Sequence, residues 1–193
     1  QKTAYEIYQC DWSSDVCSSD LVELTNISNA SINLAGLSLQ YAAATGTTWQ
    51  VIALPNADVP PGGRFLVQLG GGGQPAPALP VTPDLASTVG LGATGGKLAL
   101  VNGTSPGAAP FAADVIDFVG YGTANAFESA AVAAPSTTTS LHRIRDTDFN
   151  FSDFVIGPID PQNAASQPMS LLSVSADAAG QYEGDSEIGR AHV

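Results

Sequence analysis

The strongest constraint on this chain is its punctuation. Short runs of alternating apolar and polar residues recur at spacings of roughly ten residues, each closed by glycine, proline or asparagine. Val22-Glu23-Leu24-Thr25 ends in Asn26-Ile27-Ser28-Asn29, and Leu37-Ser38-Leu39-Gln40-Tyr41 follows Gly36. Trp49-Gln50-Val51-Ile52-Ala53-Leu54 stops at Pro55, and Pro60-Pro61-Gly62-Gly63 turns the chain into Arg64-Phe65-Leu66-Val67-Gln68-Leu69. Lys97-Leu98-Ala99-Leu100-Val101 closes on Asn102-Gly103, Val115-Ile116-Asp117-Phe118-Val119-Gly120-Tyr121 is the most hydrophobic run, and Thr138-Thr139-Ser140-Leu141-His142-Arg143-Ile144 is the last clear strand. A period of two places alternate side chains on one face, so each run has one face to bury. No window carries a sustained helical stripe; residues 126–134 come nearest and are cut off by Pro135. The expected fold is all-β, a sandwich of immunoglobulin-like character.

The two ends of the chain follow a different logic. Asp15-Val16-Cys17-Ser18-Ser19-Asp20-Leu21 can be encoded by GAC GTG TGC TCT TCC GAT CT. The reverse complement, AG ATC GGA AGA GCA CAC GTC, with one base added in front, encodes Glu187-Ile188-Gly189-Arg190-Ala191-His192-Val193. Ends that encode each other's opposite strand are expected of a ligated DNA fragment, and the string resembles a short-read sequencing adapter. Residues 1–21 and 187–193, to within a residue at each inner edge, are therefore expected to be adapter-derived and to be set aside before fold reasoning, and residues 1–20 and 187–193 to be poorly ordered. With residues 1–21 gone, the first sheet should show an unpaired edge or borrow adapter residues to fill it.

Setting these ends aside changes the chemistry. Cys10 and Cys17 disappear, and with them any disulfide, zinc or redox reading. Trp49 and His142 become the sole residues of their kinds. The net charge moves from −12 to −9 as Glu6, Asp11, Asp15, Asp20 and Glu187 leave with Lys2 and Arg190. Only Arg64, Lys97, Arg143 and Arg145 remain to meet phosphates, so neither direct nucleic-acid binding nor docking on an anionic membrane is expected. Low charge with many small residues fits an extracellular bacterial protein.

Few constellations suggest chemistry. Asp146, Asp148 and Asn150 have the alternate spacing with which oxygen ligands converge on calcium. Phe151 replaces the glycine such a loop turns on, however, and Gly157 replaces its closing glutamate, which favours a surface turn with Asx bonds to the local backbone. Calcium is thus the one cofactor suggested. Ser140 and His142, with Asp117 or Asp146, contain the residue types of acid–base catalysis, but no nucleophile elbow or oxyanion-donating helix start accompanies them. No catalytic set is expected. Gly70-Gly71-Gly72-Gly73 and the glycines at 90, 92 and 95 precede strands rather than helices, which argues against phosphate cradles. Trp49 and Tyr41 could form a stacking platform, but a lone tryptophan on an alternating strand more simply anchors the core. Asn26, Asn29 and Asn102 begin glycosylation-type triplets that read more simply as turns.

The order of the segments resembles the lamin tail domain of bacterial secreted proteins. The matching pieces include Asn33-Leu34-Ala35-Gly36-Leu37-Ser38-Leu39, Thr45-Gly46-Thr47-Thr48-Trp49, Pro60-Pro61-Gly62-Gly63-Arg64-Phe65, Val115-Ile116-Asp117-Phe118-Val119-Gly120-Tyr121-Gly122, Asp146-Thr147-Asp148-Phe149-Asn150 and Pro161-Gln162-Asn163. The likeness spans 22–163. Family members carry a further strand before the segment corresponding to 22–26. Residues 164–170 read as a linker. Ser170-Leu171-Leu172-Ser173-Val174-Ser175 opens a segment, 171–186, that resembles the start of a truncated Calx-β-like domain. The resemblance implies a non-catalytic interaction or anchoring module of a secreted multidomain protein, its partner a protein or surface. It also admits an accessory domain of an extracellular nuclease- or phosphatase-like hydrolase, or a calcium-stabilised adhesion module.

Overall fold

The computed structural model describes residues 4–8, 20–70, 81–136 and 138–169. Among them the strands are β1 (Ala4–Tyr8), β2 (Leu21–Thr25), β3 (Ile32–Asn33), β4 (Leu37–Ala43), β5 (Gln50–Ala53), β6 (Asp58–Val59), β7 (Arg64–Gln68), β8 (Leu85–Ala86), β9 (Gly95–Asn102), β10 (Val115–Gly122), β11 (Thr139–Arg143) and β12 (Phe154–Pro158). A single helical turn, α1 (Asn150–Asp153), precedes β12. The fold is all-β. Six strands form one sheet in the order β12-β11-β1-β2-β7-β8, four form a second in the order β10-β9-β4-β5, and β3 pairs with β6. Every pairing is antiparallel except that of β7 with β8.

The alternation in the sequence is spent on one shared core. The six-stranded sheet contributes Val22, Leu24, Phe65, Val67, Leu141 and Phe154, and the four-stranded sheet Leu39, Tyr41, Leu98, Leu100, Val119 and Tyr121. These positions recur every second residue, as one face of each strand must. Each large side chain fully removed from water contributes on the order of 1.5–3 kcal/mol to holding the layers together.

Both sheets also cover part of their second face. Leu21 and Leu66 pack with Val81 and Ile159 on the far side of the larger sheet. There Glu23 takes Arg64 Nε at 3.0 Å and the Gln162 amide at 2.7 Å, so the returning chain lies across β2. Residues 164–169, the described part of the expected linker, make contacts with the fold: the Ala164 amide donates to Asp84 at 2.9 Å and the Met169 amide to the Gly62 carbonyl at 2.8 Å. On the smaller sheet, Ala99, Val101 and Phe118 form a separate cluster with Trp49.

The two expectations for the chain start meet different outcomes. Ala4–Tyr8 forms β1, a strand inside the larger sheet, paired with β2 on one side and β11 on the other. Of the two alternatives, the slot is thus filled by residues that the sequence reading had set aside. Asp20 and Leu21 also belong to the packed chain. Leu21 is fully buried, and the Asp20 carboxylate accepts the Leu91 amide while its carbonyl accepts that of Leu69. The rest of the expectation for the ends, residues 1–3, 9–19 and 187–193, and the second domain at 171–186 lie outside the described residues. Residues 126–134, where no sustained helix is expected, run as irregular backbone with a bend at 128–130 and join β10 through a bridge between Val132 and Tyr121.

Candidate functional site

The densest polar cluster lies where the two sheets meet beside β10 and β11. Arg143 leaves β11 of the larger sheet and reaches Asp117 on β10 of the smaller one, Nη2 to Oδ1 at 2.6 Å. Its other terminal nitrogen contacts Asp146 Oδ1 at 3.1 Å and lies 4.0 Å from Asp153 Oδ2. The guanidinium also lies over the Phe154 ring, 4.5 Å from its centroid, a geometry that stabilises a desolvated cation. One arginine therefore fastens β10, β11 and the 146–153 turn together.

Asn150 does similar work without charge. Its side-chain oxygen accepts the amides of Gly120 at 2.9 Å and Glu128 at 3.1 Å. Its amide nitrogen donates to the Phe118 carbonyl at 2.9 Å and to Glu128 Oε2 at 3.0 Å. All four hydrogen-bonding positions of the amide are used on protein groups. Gly120 makes the approach feasible, because a Cβ there would collide with the Ala126 carbonyl and the Phe127 side chain.

The buried acids around Arg143 differ in their protonation. Burial pushes the Asp117 carboxyl up to about 8; the Arg143 guanidinium opposes the rise, and Glu128 and Asp146 add to it. Asp117 Oδ2 has no hydrogen-bond partner. Burial likewise raises Glu128, to about 7, again opposed by Arg143. Burial also pushes Asp153 upward, but donors from Thr147 and Phe149, with Arg143 nearby, hold it below the ordinary aspartate value. Those donors are the Thr147 amide at 2.7 Å, its hydroxyl at 2.6 Å and the Phe149 amide at 3.1 Å.

The residues singled out for calcium are placed on separate duties. Asp146 faces Arg143, the Asp148 carbonyl accepts the Ser129 hydroxyl at 2.9 Å, and Asn150 points into the fold. The expected surface turn is thus partly a buried fastener, since Asn150 is fully enclosed. No group of three or more His, Cys, Asp or Glu side chains among the described residues is arranged to hold a metal ion.

Ser140 and His142 do meet, Oγ to Nε2 at 2.7 Å, but the Pro158 carbonyl lies 2.8 Å from both atoms. The histidine ring lies against Gly157, where a Cβ would meet it at 2.7 Å. This arrangement closes the β11–β12 ladder. It does not leave the hydroxyl facing a substrate, for Ser140 is fully buried. Asp117 and Asp146, the acids that could have joined them, are engaged by Arg143.

Gly92 serves two tyrosines rather than an anion: its amide donates to the Tyr41 hydroxyl at 2.7 Å, and its carbonyl accepts that of Tyr121 at 2.9 Å. The run beginning at Gly70 lies mostly outside the described residues. Tyr41 is central core, whereas Trp49, expected to anchor that core, is half-buried on the outer face of the smaller sheet. There it stands edge-on to Phe118 at 6.0 Å, with Lys97 Nζ 5.8 Å from its ring centroid. It falls just before β5, where the strand has not yet committed its alternation. Asn26, read as a turn residue, is one: it is buried, donates to the carbonyls of Val59 and Ala30, each at 2.8 Å, and accepts the Ser28 amide.

What the sequence reading missed is the open rim beside this network. Among the described residues β12 is an outer strand of the larger sheet, and Val155 and Ile156 on it are exposed. Ile144, Phe149 and Phe151 are exposed on the neighbouring turns, the two phenylalanine rings 6.4 Å apart. Phe151 is 65 % exposed. A search for runs of apolar residues would have found Phe154-Val155-Ile156, but only the sheet order shows that the run is an edge. No family model matches the chain, and no curated protein or solved structure gives a significant match to it.

Proposed function

We propose that this chain is a non-catalytic interaction and anchoring module, an immunoglobulin-like sandwich of the lamin-tail type from a secreted multidomain protein. It needs no cofactor, and its partner is a protein or surface met outside the cell. The observation that carries the reading is that β12, an outer strand among the described residues, exposes Val155 and Ile156, with Ile144, Phe149 and Phe151 exposed on the turns before it. An edge strand offers unpaired backbone groups to an incoming strand, and apolar side chains beside it add affinity. Natural edges are commonly protected by charge, and Phe154-Val155-Ile156-Gly157-Pro158 carries none. The buried polar groups support the same reading. Arg143, Asn150, Asp153 and the Ser140–His142 pair are bonded to other parts of the fold, as structural fasteners are.

Selection of a displayed peptide library on the immobilised chain tests this. Enriched peptides are expected to lose binding at least tenfold when Val155→Lys and Ile156→Lys are introduced together, about 1.4 kcal/mol or more. Equal binding to both chains overturns the assignment to β12. Turnover of a phosphomonoester or phosphodiester by the purified chain, abolished by His142→Ala, overturns the non-catalytic reading.

A further inference from the structure

Part of the proposed docking surface rests on a loop that buried acids help to hold. Phe149 and Phe151 lie on the turn before β12, and residues 128–130 support that turn from below. The Asn150 amide donates to the Glu128 carbonyl at 3.0 Å, the Phe151 amide to the Ala130 carbonyl at 3.1 Å, and the Ser129 hydroxyl to the Asp148 carbonyl at 2.9 Å. Ser129 and Asp148, which meet there, have φ of 59° and 58°, a left-handed backbone that L side chains adopt at a cost. Backbone preference therefore works against this contact, and side chains must keep it closed.

Glu128 and Asn150 supply that hold, joined side chain to side chain at 3.0 Å, with Asn150 bonded in turn to β10. Glu128 is buried, as is Asp117 on β10, and one oxygen of Asp117 receives no hydrogen bond. The charged groups around the two acids come from each neighbouring element. They are Arg143 on β11, Asp146 and Asp148 on the turn, and Asp153 on α1, with Arg145 3.6 Å from Asp153 Oδ1. His142 lies on the other face of β11, with Ser140 and the Pro158 carbonyl. With Glu128 and Asp117 protonated, three carboxylates stand against two guanidinium groups, which is close to balance. With both ionised, five stand against two, and the two added charges are the buried ones. Uncompensated charge in such a place favours any rearrangement that lets water in.

We propose that the turn bearing Phe149 and Phe151 is a proton-controlled latch, which holds the docking surface in shape while Glu128 and Asp117 are protonated and lets a bound peptide go when they ionise. This adds regulation to the docking edge at β12 and rests on that reading. The sign follows from burial. Both acids bind their protons more tightly in the closed flank than in water, so closure is favoured at low pH. It is lost as pH rises through about 7 for Glu128 and about 8 for Asp117. The opening is confined to the flank, because the core between the sheets, with Leu39, Leu100 and Val119, contains no carboxylate.

Hydrogen exchange of the full chain at pH 6 and pH 9, under conditions where exchange follows the opening equilibrium, tests the latch without a ligand. The protection factors of the Asn150 and Phe151 amides are expected to fall at least about tenfold between the two, the change produced when opening returns Glu128 from about 7 to its ordinary 4.5. They are also expected to lie below those of Leu39 and Leu100 at both pH values, as a local opening requires. Glu128→Gln with Asp117→Asn is neutral at either pH and is expected to hold the flank's protection within about twofold. If that pair of substitutions prevents folding, Glu128→Gln alone is expected to shrink the fall by about tenfold. A flat profile in the unsubstituted chain, a fall that the substitutions leave unchanged, or flank amides as protected as the core at pH 9 overturns the latch. For capture, the probe is a peptide without titratable side chains, enriched at pH 6 in the selection described above. Its dissociation constant is expected to rise at least about tenfold from pH 6 to pH 9 and to stay level on the neutral variant. A level constant on the unsubstituted chain overturns proton control while leaving the docking edge standing. No enriched peptide at either pH overturns the docking edge and the control of capture with it, while exchange still decides the latch.

Discussion

Asp117 and Asp153 are both buried and both lie beside Arg143, yet burial leaves them in opposite conditions. Asp117 has the closer ion pair, 2.6 Å against 4.0 Å, and its carboxyl is nevertheless raised to about 8. Asp153 has the distant arginine and is held below its ordinary value. The difference lies in hydrogen-bond donors. Asp153 receives two amides and a hydroxyl from the turn that surrounds it, whereas one oxygen of Asp117 receives none. A single cation does not replace solvation for a carboxylate enclosed in a sheet interface, but a ring of short, local donors does.

The largest effect should come from removing what the two acids share. At pH 9, where Asp117 is ionised, Arg143→Met leaves Asp117 and Asp146 without their cation and is expected to cost about 3–5 kcal/mol in urea unfolding. In an Asp117→Asn background the cost of Arg143→Met should shrink markedly; an unchanged cost would show that the arginine acts on the Asp153 side alone. Next comes Asp153→Ala, which strands the Thr147 and Phe149 amides and is expected to cost about 2–3 kcal/mol. A cost below about 0.5 kcal/mol would mean that the turn relaxes and that local donors are not what separates the two acids.

The smallest effect is the most discriminating. Asp117→Asn should change stability at pH 5 by less than about 1 kcal/mol, because the acid is already protonated in the folded chain there and asparagine keeps its size. The sign of the pH dependence follows from the raised carboxyls. Asp117 and Glu128 bind their protons more tightly folded than unfolded, so their contribution is fully present below the ordinary carboxylate range. It is lost as pH rises through about 7 for Glu128 and about 8 for Asp117. Asp153 acts in reverse, its contribution present above its ordinary value of 3.8 and lost as pH falls through its lowered folded value. Chemical denaturation between pH 5 and 9 should therefore show the unsubstituted chain weakening with pH, and Asp117→Asn should flatten that slope. Parallel curves would place the ionisation elsewhere.

The limits of the sequence reading have the same physical origin. β4, β7, β9, β10 and β11 are legible because alternation and turn residues are properties of neighbours in the chain. β12 escapes, since Phe154-Val155-Ile156 does not alternate and a half-exposed edge does not require it to. The Arg143–Asp117 pair spans 26 residues and two sheets, and nothing local announces it. Asn150 sits in an acidic, turn-like string and gives no sign in sequence of being enclosed. Trp49 misleads for the opposite reason: its type says core, while its position just before β5 puts it on an outer face. β1 illustrates a third limit, for a strand slot is defined by its walls, and composition says little about what will fill it.

Gly120 ties the flank into one cooperative element. With no side chain there, residues 126–128 rest on β10, Glu128 meets Asn150, and Asn150 links β10 to the turn that leads into β12. A methyl group at that position would not trim one contact; it would lift the loop and unseat each link in turn. Hydrogen exchange is therefore expected to show the amides of Gly120, Glu128 and Asn150 opening in one event, together with the strand they support.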